Sequence, residues 1–135
     1  MFDVTTNAEE FERNLQYVIR SMPRESKLLM RRVGAKSRTI IKSTARRLVK
    51  NKTGNYHKSW KLGKAYKNNV GDYRIRVFNN APHAHLIEDG HRIVRGGREV
   101  GFAEGKKVIQ KSNSKLEEKW EENLTKELNK IIENI

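Results

Sequence analysis

The spacing of apolar side chains predicts a long helical region at the start of the chain. Phe11, Leu15, Val18 and Met22 recur at intervals of three or four residues, which is the period of a helix with one apolar face. Pro23 follows directly, and proline is tolerated in the first turn of a helix but not in its interior. We therefore expect the helix to kink or to restart at this point.

The same pattern resumes after Pro23 and predicts a long helix with two different faces. One face is mainly apolar and carries Leu29, Val33, Ile40, Thr44 and Leu48. The opposite face is cationic and carries Arg31, Lys36, Arg38, Lys42, Arg46 and Lys50. Gly54 is predicted to end this helix, because glycine readily takes the left-handed conformation that follows many helices.

The middle of the chain has the two-residue alternation that is typical of a β-hairpin. Apolar residues occupy alternate positions in the run "DYRIRVFN", and residues 56–66 alternate less regularly. The segment "KNNVGD" between these runs has the turn-forming residues that join antiparallel strands. A third strand is predicted at 91–94, and a flexible loop rich in glycine and arginine is predicted at about 95–105.

A second continuous apolar stripe predicts a long helix from Lys106 onward. The stripe consists of Ile109, Leu116, Trp120, Leu124, Leu128, Ile131 and Ile135. The predicted order is a long helix, two strands, a short helix, a third strand and a final helix. We therefore expect a single α+β domain over residues 1–135, with a small antiparallel sheet of three or four strands and the C-terminal helix packed on that sheet.

The composition limits what such a domain can bury. Hydrophobic residues make up 36% of the sequence and charged residues 33%, so the core is expected to be small or to be completed by partner subunits. The absence of cysteine excludes disulfides and cysteine-based metal sites. No apolar run approaches the roughly 20 residues of a membrane span, and the first residues lack a signal-peptide pattern. An intracellular, soluble protein without membrane contact is expected.

The net charge of +13 is concentrated in one part of the sequence. Residues 24–76 contain 17 Lys and Arg but only 2 Asp and Glu. A field of this sign favours nucleic acid, an anionic surface or an acidic partner protein. One hypothesis is therefore a nucleic-acid-binding module that uses the basic helix at 24–50, although no known nucleic-acid-reading motif is visible.

The stretch "HAHLIEDGH" raises the alternative of a metal or catalytic site. His83, His85, Glu88 and His91 are potential ligands, but a zinc-protease helix needs two histidines one turn apart, and Gly90 ends the predicted helical turn before the last histidine. The sequence also has no nucleophile elbow or phosphate-binding glycine loop. We therefore expect no catalytic residues, no metal, no cofactor and no enzymatic activity.

A structural corner explains the same stretch more simply. Pro82 is expected to end the hairpin, and Gly90 is expected to release the chain from a short helical turn with a positive φ. Gly90→Val should then damage folding or assembly through backbone strain. Together with Gly54 at the end of the long basic helix, the predicted structural turn residues are Pro82, Glu88, Gly90 and His91.

Three segments resemble a family of phage proteins. The segment "TGNYHKSW" resembles the family's "TGxLxxS" segment after its long first helix. The segment "NNAPHAHLIEDGHRIV" resembles "YAxxxExGH", with Ala84, Glu88, Gly90 and His91 at the matching positions. The segment "VGFAEGKKVI" resembles the "VPGxxVI" stretch before the final helix. The family is the tail-component family of long-tailed bacteriophages and prophages, whose members are also called head–tail joining or tail-completion proteins.

The resemblance implies a structural protein that acts in virion assembly at the head–tail junction or tail terminus. It implies a homo-oligomeric ring, with a hexamer as one size to consider, and phage connector and tail-tube proteins as partners. Non-specific contact with DNA is a further expectation. The expected location is the tail or neck of the virion, and the host cytoplasm during assembly. The expected interaction residues are Arg31, Lys36, Arg38, Lys42, Arg46, Arg92, Arg95 and Arg98.

Overall fold

The computed structural model describes residues 4–50 and 52–135 and confirms the α+β class. The helices are α1 (Val4–Ser21), α2 (Pro23–Leu48), α3 (Asn55–Lys58), α4 (Ala84–Asp89) and α5 (Val108–Glu133). The strands are β1 (Trp60–Leu62), β2 (Tyr66–Lys67), β3 (Tyr73–Arg74), β4 (Val77–Asn79), β5 (Gly90–Arg95) and β6 (Arg98–Glu104). Long helices therefore stand at both ends of the described chain, with short antiparallel strands between them.

The predicted break near Pro23 is confirmed. Met22 leaves helical geometry between α1 and α2, and Pro23 occupies the first turn of α2, where its missing N–H has no helical partner to lose. The buried Ser26 hydroxyl donates a 3.0 Å hydrogen bond to the Val18 carbonyl. This bond ties the first turn of α2 to the last turn of α1 and stabilises the angle between them.

The helices α1, α2 and α5 share one hydrophobic core. Its buried residues are Val18, Leu29, Val33, Leu128 and Ile131. The helix α5 packs mainly along α2, whereas the sequence predicted that α5 packs on the sheet. A second cluster, formed by Ile41, Ala45, Trp60 and Val108, joins the far end of α2 to β1 and to the first turn of α5.

The buried face of α5 differs from the predicted apolar stripe. Trp120 is 46% exposed and Ile109 is 40% exposed, although both were expected in the stripe. Ser112 is buried in their place, and its hydroxyl donates to the Val108 carbonyl at 2.7 Å. The buried face of α5 therefore includes a small polar side chain whose hydroxyl is bonded within its own helix, while Ile109 and Trp120 lie outside that face.

The predicted hairpin between residues 60 and 79 is confirmed. The strand β1 pairs with β4 and β2 pairs with β3, both antiparallel, and the Gly63 N–H donates to the Arg76 carbonyl at 2.8 Å between the two pairs. The strands form three two-stranded sheets instead of one sheet of three or four strands. Leu62 and Ile75 lie directly over Gly34, where a Cβ would come within 2.9 Å of the Leu62 side chain.

Two predicted boundaries near the hairpin are wrong. The helix α2 ends at Leu48, because Val49 turns to an extended conformation and packs against the second core cluster. Gly54 does not end this helix but precedes α3 with a positive φ of 80°. Tyr56 lies in α3 instead of a strand, since this turn is closed by the Ser59 hydroxyl, which donates to the Asn55 carbonyl at 2.6 Å.

Residues 90–104 form an antiparallel hairpin of β5 and β6. The predicted strand at 91–94 lies within β5, and β6 occupies most of the range that was expected to be a loop. The turn is made by Gly96 and Gly97, both with positive φ. Most β6 side chains are exposed, so the strand has no buried face. Its sequence therefore lacks the alternation of apolar and polar residues from which a strand is predicted.

Within the two described ranges, no helix has both the length and the apolar character needed to cross a membrane.

Candidate interaction surfaces

The stretch "HAHLIEDGH" forms a tightly packed corner between α4 and β5. Gly90 has a φ of 88°, and a Cβ at this position would lie 2.5 Å from the Ala103 carbonyl oxygen and 2.8 Å from the Gly105 nitrogen. A Cβ on Gly105 would overlap the Glu88 carbonyl oxygen. Both glycines are therefore required by close backbone approach, and Gly90 also by its conformation.

Glu88 connects this corner to the start of α5. Its carboxylate oxygens accept the Ile109 N–H at 3.1 and 3.2 Å. The Ile87 carbonyl accepts the Lys106 N–H at 2.7 Å, and Lys107 takes a left-handed conformation just before α5 begins. Glu88 thus caps α5 from another helix, and its negative charge lies at the positive end of the helix dipole.

The histidines of the corner do not converge on one point. The His91 Nδ1 lies 3.0 Å from the Arg92 carbonyl, His83 precedes α4, and His85 is exposed. Within the described part of the chain, no group of three or more His, Asp or Glu side chains is arranged to hold a metal ion. The Glu88 carboxylate, which a metal would need, is already bonded to α5.

The predicted cations of α2 divide into two groups. Arg31, Arg38, Lys42 and Arg46 follow one another at intervals of seven, four and four residues, which places them along one side of the helix. None of them lies within ion-pair distance of a described carboxylate. Lys36 differs, because it faces α5 and bonds there to Glu127. We call the first group the α2 basic stripe.

Glu127 is a buried carboxylate surrounded by cations from two helices. Lys36 Nζ lies 3.2 Å from its Oε1, Lys130 Nζ lies 3.3 Å from the same oxygen, and Arg32 lies 3.5 Å from Oε2. Burial by itself raises the pKa of Glu127, but hydrogen bonds and charges from Lys36 and Lys130 outweigh burial and hold the pKa below its usual value. Lys36 is therefore engaged in the helix interface.

The predicted arginines of the second hairpin lie on a separate surface. Arg95 and Arg98 face each other beside the turn, and Arg92 lies 3.9 Å from Glu99. Outside its own two strands, this hairpin contacts mainly α4. The structure therefore does not bring the hairpin arginines together with the α2 basic stripe.

The same hairpin has an exposed apolar face. Val94, Val100 and Phe102 are 57–60% exposed. The register pairs Arg92 with Phe102 and Val94 with Glu99, and a register shift between these pairs leaves Val100 as the extra residue of β6. The exposed apolar side chains therefore lie beside the Arg92–Glu99 ion pair. A two-stranded hairpin is marginally stable by itself, and both of its edges carry unpaired backbone groups that can accept another strand. We call this surface the hairpin face.

A basic cleft lies where α2 ends, between the segment that leads into α3 and the start of α4. Its volume is about 850 Å³. Its cationic lining residues are Arg46, Arg47, Lys50, Lys52 and Lys106. No Asp or Glu lines it among the described residues. Sequence reasoning found Arg46 and Lys50 on the basic face of α2 but missed the cleft, because its walls come from segments far apart along the chain.

Tyr56 forms part of the cleft wall. Its ring packs edge-on against Trp60, with ring centres 5.7 Å apart. Burial raises the pKa of Tyr56 to about 12, and the nearby charge of Glu88 adds to the shift. The phenol therefore stays protonated at any physiological pH and can serve as a hydrogen-bond donor.

Comparison with known proteins identifies a family for this fold and corner. No curated protein and no solved structure matches the chain. One family model, described as "Bacteriophage HK97-gp10, putative tail-component", matches residues 9–90. The match spans most of α1, all of α2, the first hairpin, and the corner through Glu88 and Gly90. Tail components are structural parts of the virion, which points to a structural and not an enzymatic role. The chain belongs to the HK97 gp10-like family of bacteriophage tail components.

Proposed function

We propose that this protein acts in virion assembly at the head–tail junction or the tail terminus, as a non-enzymatic ring of its own copies. The hairpin face is the observation that carries the proposal. Val94, Val100 and Phe102 are exposed on this hairpin beside the Arg92–Glu99 ion pair, and clustered exposed apolar side chains often mark a contact with a partner. Burying it between subunits would stabilise both the hairpin and the ring.

Two further features support assembly through protein contacts. The edges of β5 and β6 can accept a strand from a neighbouring subunit. The basic surfaces of α2 and of the cleft can attract acidic connector or tail-tube subunits and orient them during encounter. The protein would work in the tail or neck of the virion and assemble in the host cytoplasm.

Electron microscopy of particles made without this protein tests the proposal. Deletion of its gene should give filled heads that lack tails, or tails with irregular ends. Supplying the intact protein in trans should restore joined particles. Normal heads joined to normal tails in the deletion would overturn the proposal.

A nucleic-acid-binding role is the second candidate, favoured by the α2 basic stripe. Arg31, Arg38, Lys42 and Arg46 have no carboxylate partner among the described residues. Cations in a row along a helix can follow a phosphate backbone without reading its sequence. Such contact is compatible with a ring through which DNA passes, so it would accompany the assembly role.

A further inference from the structure

We infer that the basic cleft is a docking site for a short acidic and apolar peptide segment of a neighbouring virion protein. Its volume of about 850 Å³ is within the roughly 300–1,000 Å³ of ordinary ligand pockets. The inference rests on the proposed function only for the source of that peptide. The charge and apolar character of the cleft, which would recognise the segment, do not depend on the proposed function.

The exposed cationic residues at the rim of the cleft favour a negatively charged ligand. Arg47, Lys50, Lys52 and Lys106 are exposed. None lies within ion-pair distance of a described carboxylate. Glu88 is close enough to act on Tyr56, but its carboxylate is bonded to the Ile109 N–H. The positive potential of the rim is therefore not neutralised by the described carboxylates, and a carboxylate-bearing ligand would complement it.

The walls of the cleft select for apolar side chains. Val49, Tyr56 and Ile87 line it and are half-buried, and Pro82 closes one side. Apolar walls beneath a cationic rim match a segment in which acidic and apolar residues alternate. The acidic residues can face the rim while the apolar residues enter the cleft. The phenol of Tyr56 adds a hydrogen-bond donor for a carboxylate or a backbone carbonyl of the segment.

Nucleic acid fits these walls less well. Single strands bind through several aromatic rings that stack with successive bases, whereas Tyr56 is the one Phe, Tyr or Trp among the described lining residues and is already in contact with Trp60 and His57. A duplex presents its phosphates on a convex surface, so it would contact only the rim and leave Val49 and Ile87 unused. A peptide uses both the rim and the walls, and this difference can be measured.

Fluorescence anisotropy with the purified full-length protein provides the test. The probe is a short fluorescein-labelled peptide of alternating glutamate and leucine. One comparison peptide has glutamine in place of glutamate, a second has serine in place of leucine, and a single-stranded oligothymidine represents nucleic acid. The alternating glutamate–leucine peptide should bind most tightly, and its affinity should fall as salt rises.

Matched double variants locate the site. Arg47→Gln with Lys50→Gln should weaken binding of the glutamate–leucine peptide roughly tenfold, since two favourable surface charge contacts are lost. Arg24→Gln with Lys27→Gln removes equal charge from the opposite end of α2, where both residues are exposed, and should change binding by less than about twofold. Equal melting temperatures of the two double variants would exclude a folding effect.

Three results would overturn the inference. In the first, both double variants weaken binding of the glutamate–leucine peptide equally. In the second, the glutamate–serine peptide binds as tightly as the glutamate–leucine peptide. In the third, oligothymidine binds more tightly than the glutamate–leucine peptide, and the Arg47→Gln, Lys50→Gln variant abolishes that binding. The last result would assign the cleft to nucleic acid. The binding measurement needs no virus particle, so the peptide-docking proposal and the proposed assembly role can be disproved separately.

Discussion

Single residues at the α4–β5 corner determine how closely this corner can approach the end of β6 and the start of α5. Gly90 combines a positive φ with backbone contacts too close for a side chain, and Glu88 reaches from the same corner to the first turn of α5. The family match ends at residue 90, at this corner. The residues that looked like an active site in the sequence thus hold a helix terminus in place.

Gly90→Ala is expected to lower the free energy of unfolding by at least about 2 kcal/mol, because left-handed strain and the clash with the Ala103 carbonyl add together. Gly96→Ala is the matched control. Gly96 also has a positive φ, of 59°, but a Cβ added there would have nothing within 4 Å, so only about 1 kcal/mol of strain is expected. Urea denaturation measures both variants, and equal losses would contradict the role of close packing at Gly90.

Glu127→Gln is expected to destabilise the protein by about 2 kcal/mol at neutral pH, because the amide removes the negative charge that Lys36 and Lys130 surround and replaces one acceptor oxygen with an NH2 donor. The folded-state pKa of Glu127 is lower than its unfolded value, so this stabilisation is present above the ordinary value of 4.5 and is lost as pH falls through the folded pKa.

Denaturation curves across pH measure the effect of Glu127→Gln. The difference between wild type and variant should be constant near neutrality and shrink below about pH 4.5. Glu122→Gln is the control on the same helix, since Glu122 is exposed and its ion pairs with Lys119 and Lys126 are in solvent. A pH-independent difference for Glu127→Gln would contradict the ionic origin of the stabilisation.

At the scale of elements, the two hairpins have different roles. The hairpin of β1 to β4 covers α2 through Leu62 and Ile75 over Gly34 and contributes Trp60 to the core. The hairpin of β5 and β6 is attached mainly at its base and leaves Val94, Val100 and Phe102 exposed. The first hairpin therefore stabilises the fold, and the second has a surface available for assembly.

Phe102→Ser is expected to abolish self-association while leaving the melting temperature of the monomer nearly unchanged. A phenylalanine buried between subunits contributes roughly 1.5–3 kcal/mol per interface, but an exposed one contributes little to the monomer. Val70→Ser is the control, because Val70 is 81% exposed at the turn of the other hairpin. Mass photometry over a concentration series reports the assembly state, and a Phe102→Ser protein that assembles like wild type would argue against the hairpin face.

At the scale of the whole molecule, the basic surfaces of α2 and of the cleft are separate from the exposed apolar side chains of the second hairpin. The α2 basic stripe and the basic cleft are cationic, the hairpin face is apolar, and the Glu127 cluster lies inside the helix interface. A protein with these separate surfaces can contact several partners at once. The core clusters join α1, α2, α5 and β1 through buried side chains, and the bond from Ile109 to Glu88 joins the corner at the base of the second hairpin to α5.

Arg31→Gln with Arg38→Gln is expected to weaken binding to a DNA duplex and to reduce the slope of log K against log salt by about 1 per lost phosphate contact. Lys61→Gln with Lys111→Gln removes equal charge elsewhere and should leave the slope unchanged. Titrations at two salt concentrations compare them. Absence of duplex binding by the wild-type protein at low salt would remove the nucleic-acid candidate.

The sequence by itself determined the features that depend on local periodicity and backbone chemistry. The apolar spacing of α1 and α2, the break at Pro23, the hairpin turn in "KNNVGD" and the short helix ended by Gly90 all follow from neighbouring residues. The three segments that resemble the tail-component family are also local patterns. Each of these predictions needs only the preferences of a few consecutive residues, so a single sequence is sufficient for them.

Only the tertiary structure decided which faces meet. Periodicity indicates that α5 has an apolar face, but in the folded chain Ser112 and Glu127 are buried and Trp120 is exposed. The bond from Ile109 to Glu88 and the walls of the basic cleft join residues that lie far apart along the chain. Such contacts depend on how elements pack, and local preferences do not specify the partner of a buried charge, a helix cap or a cleft.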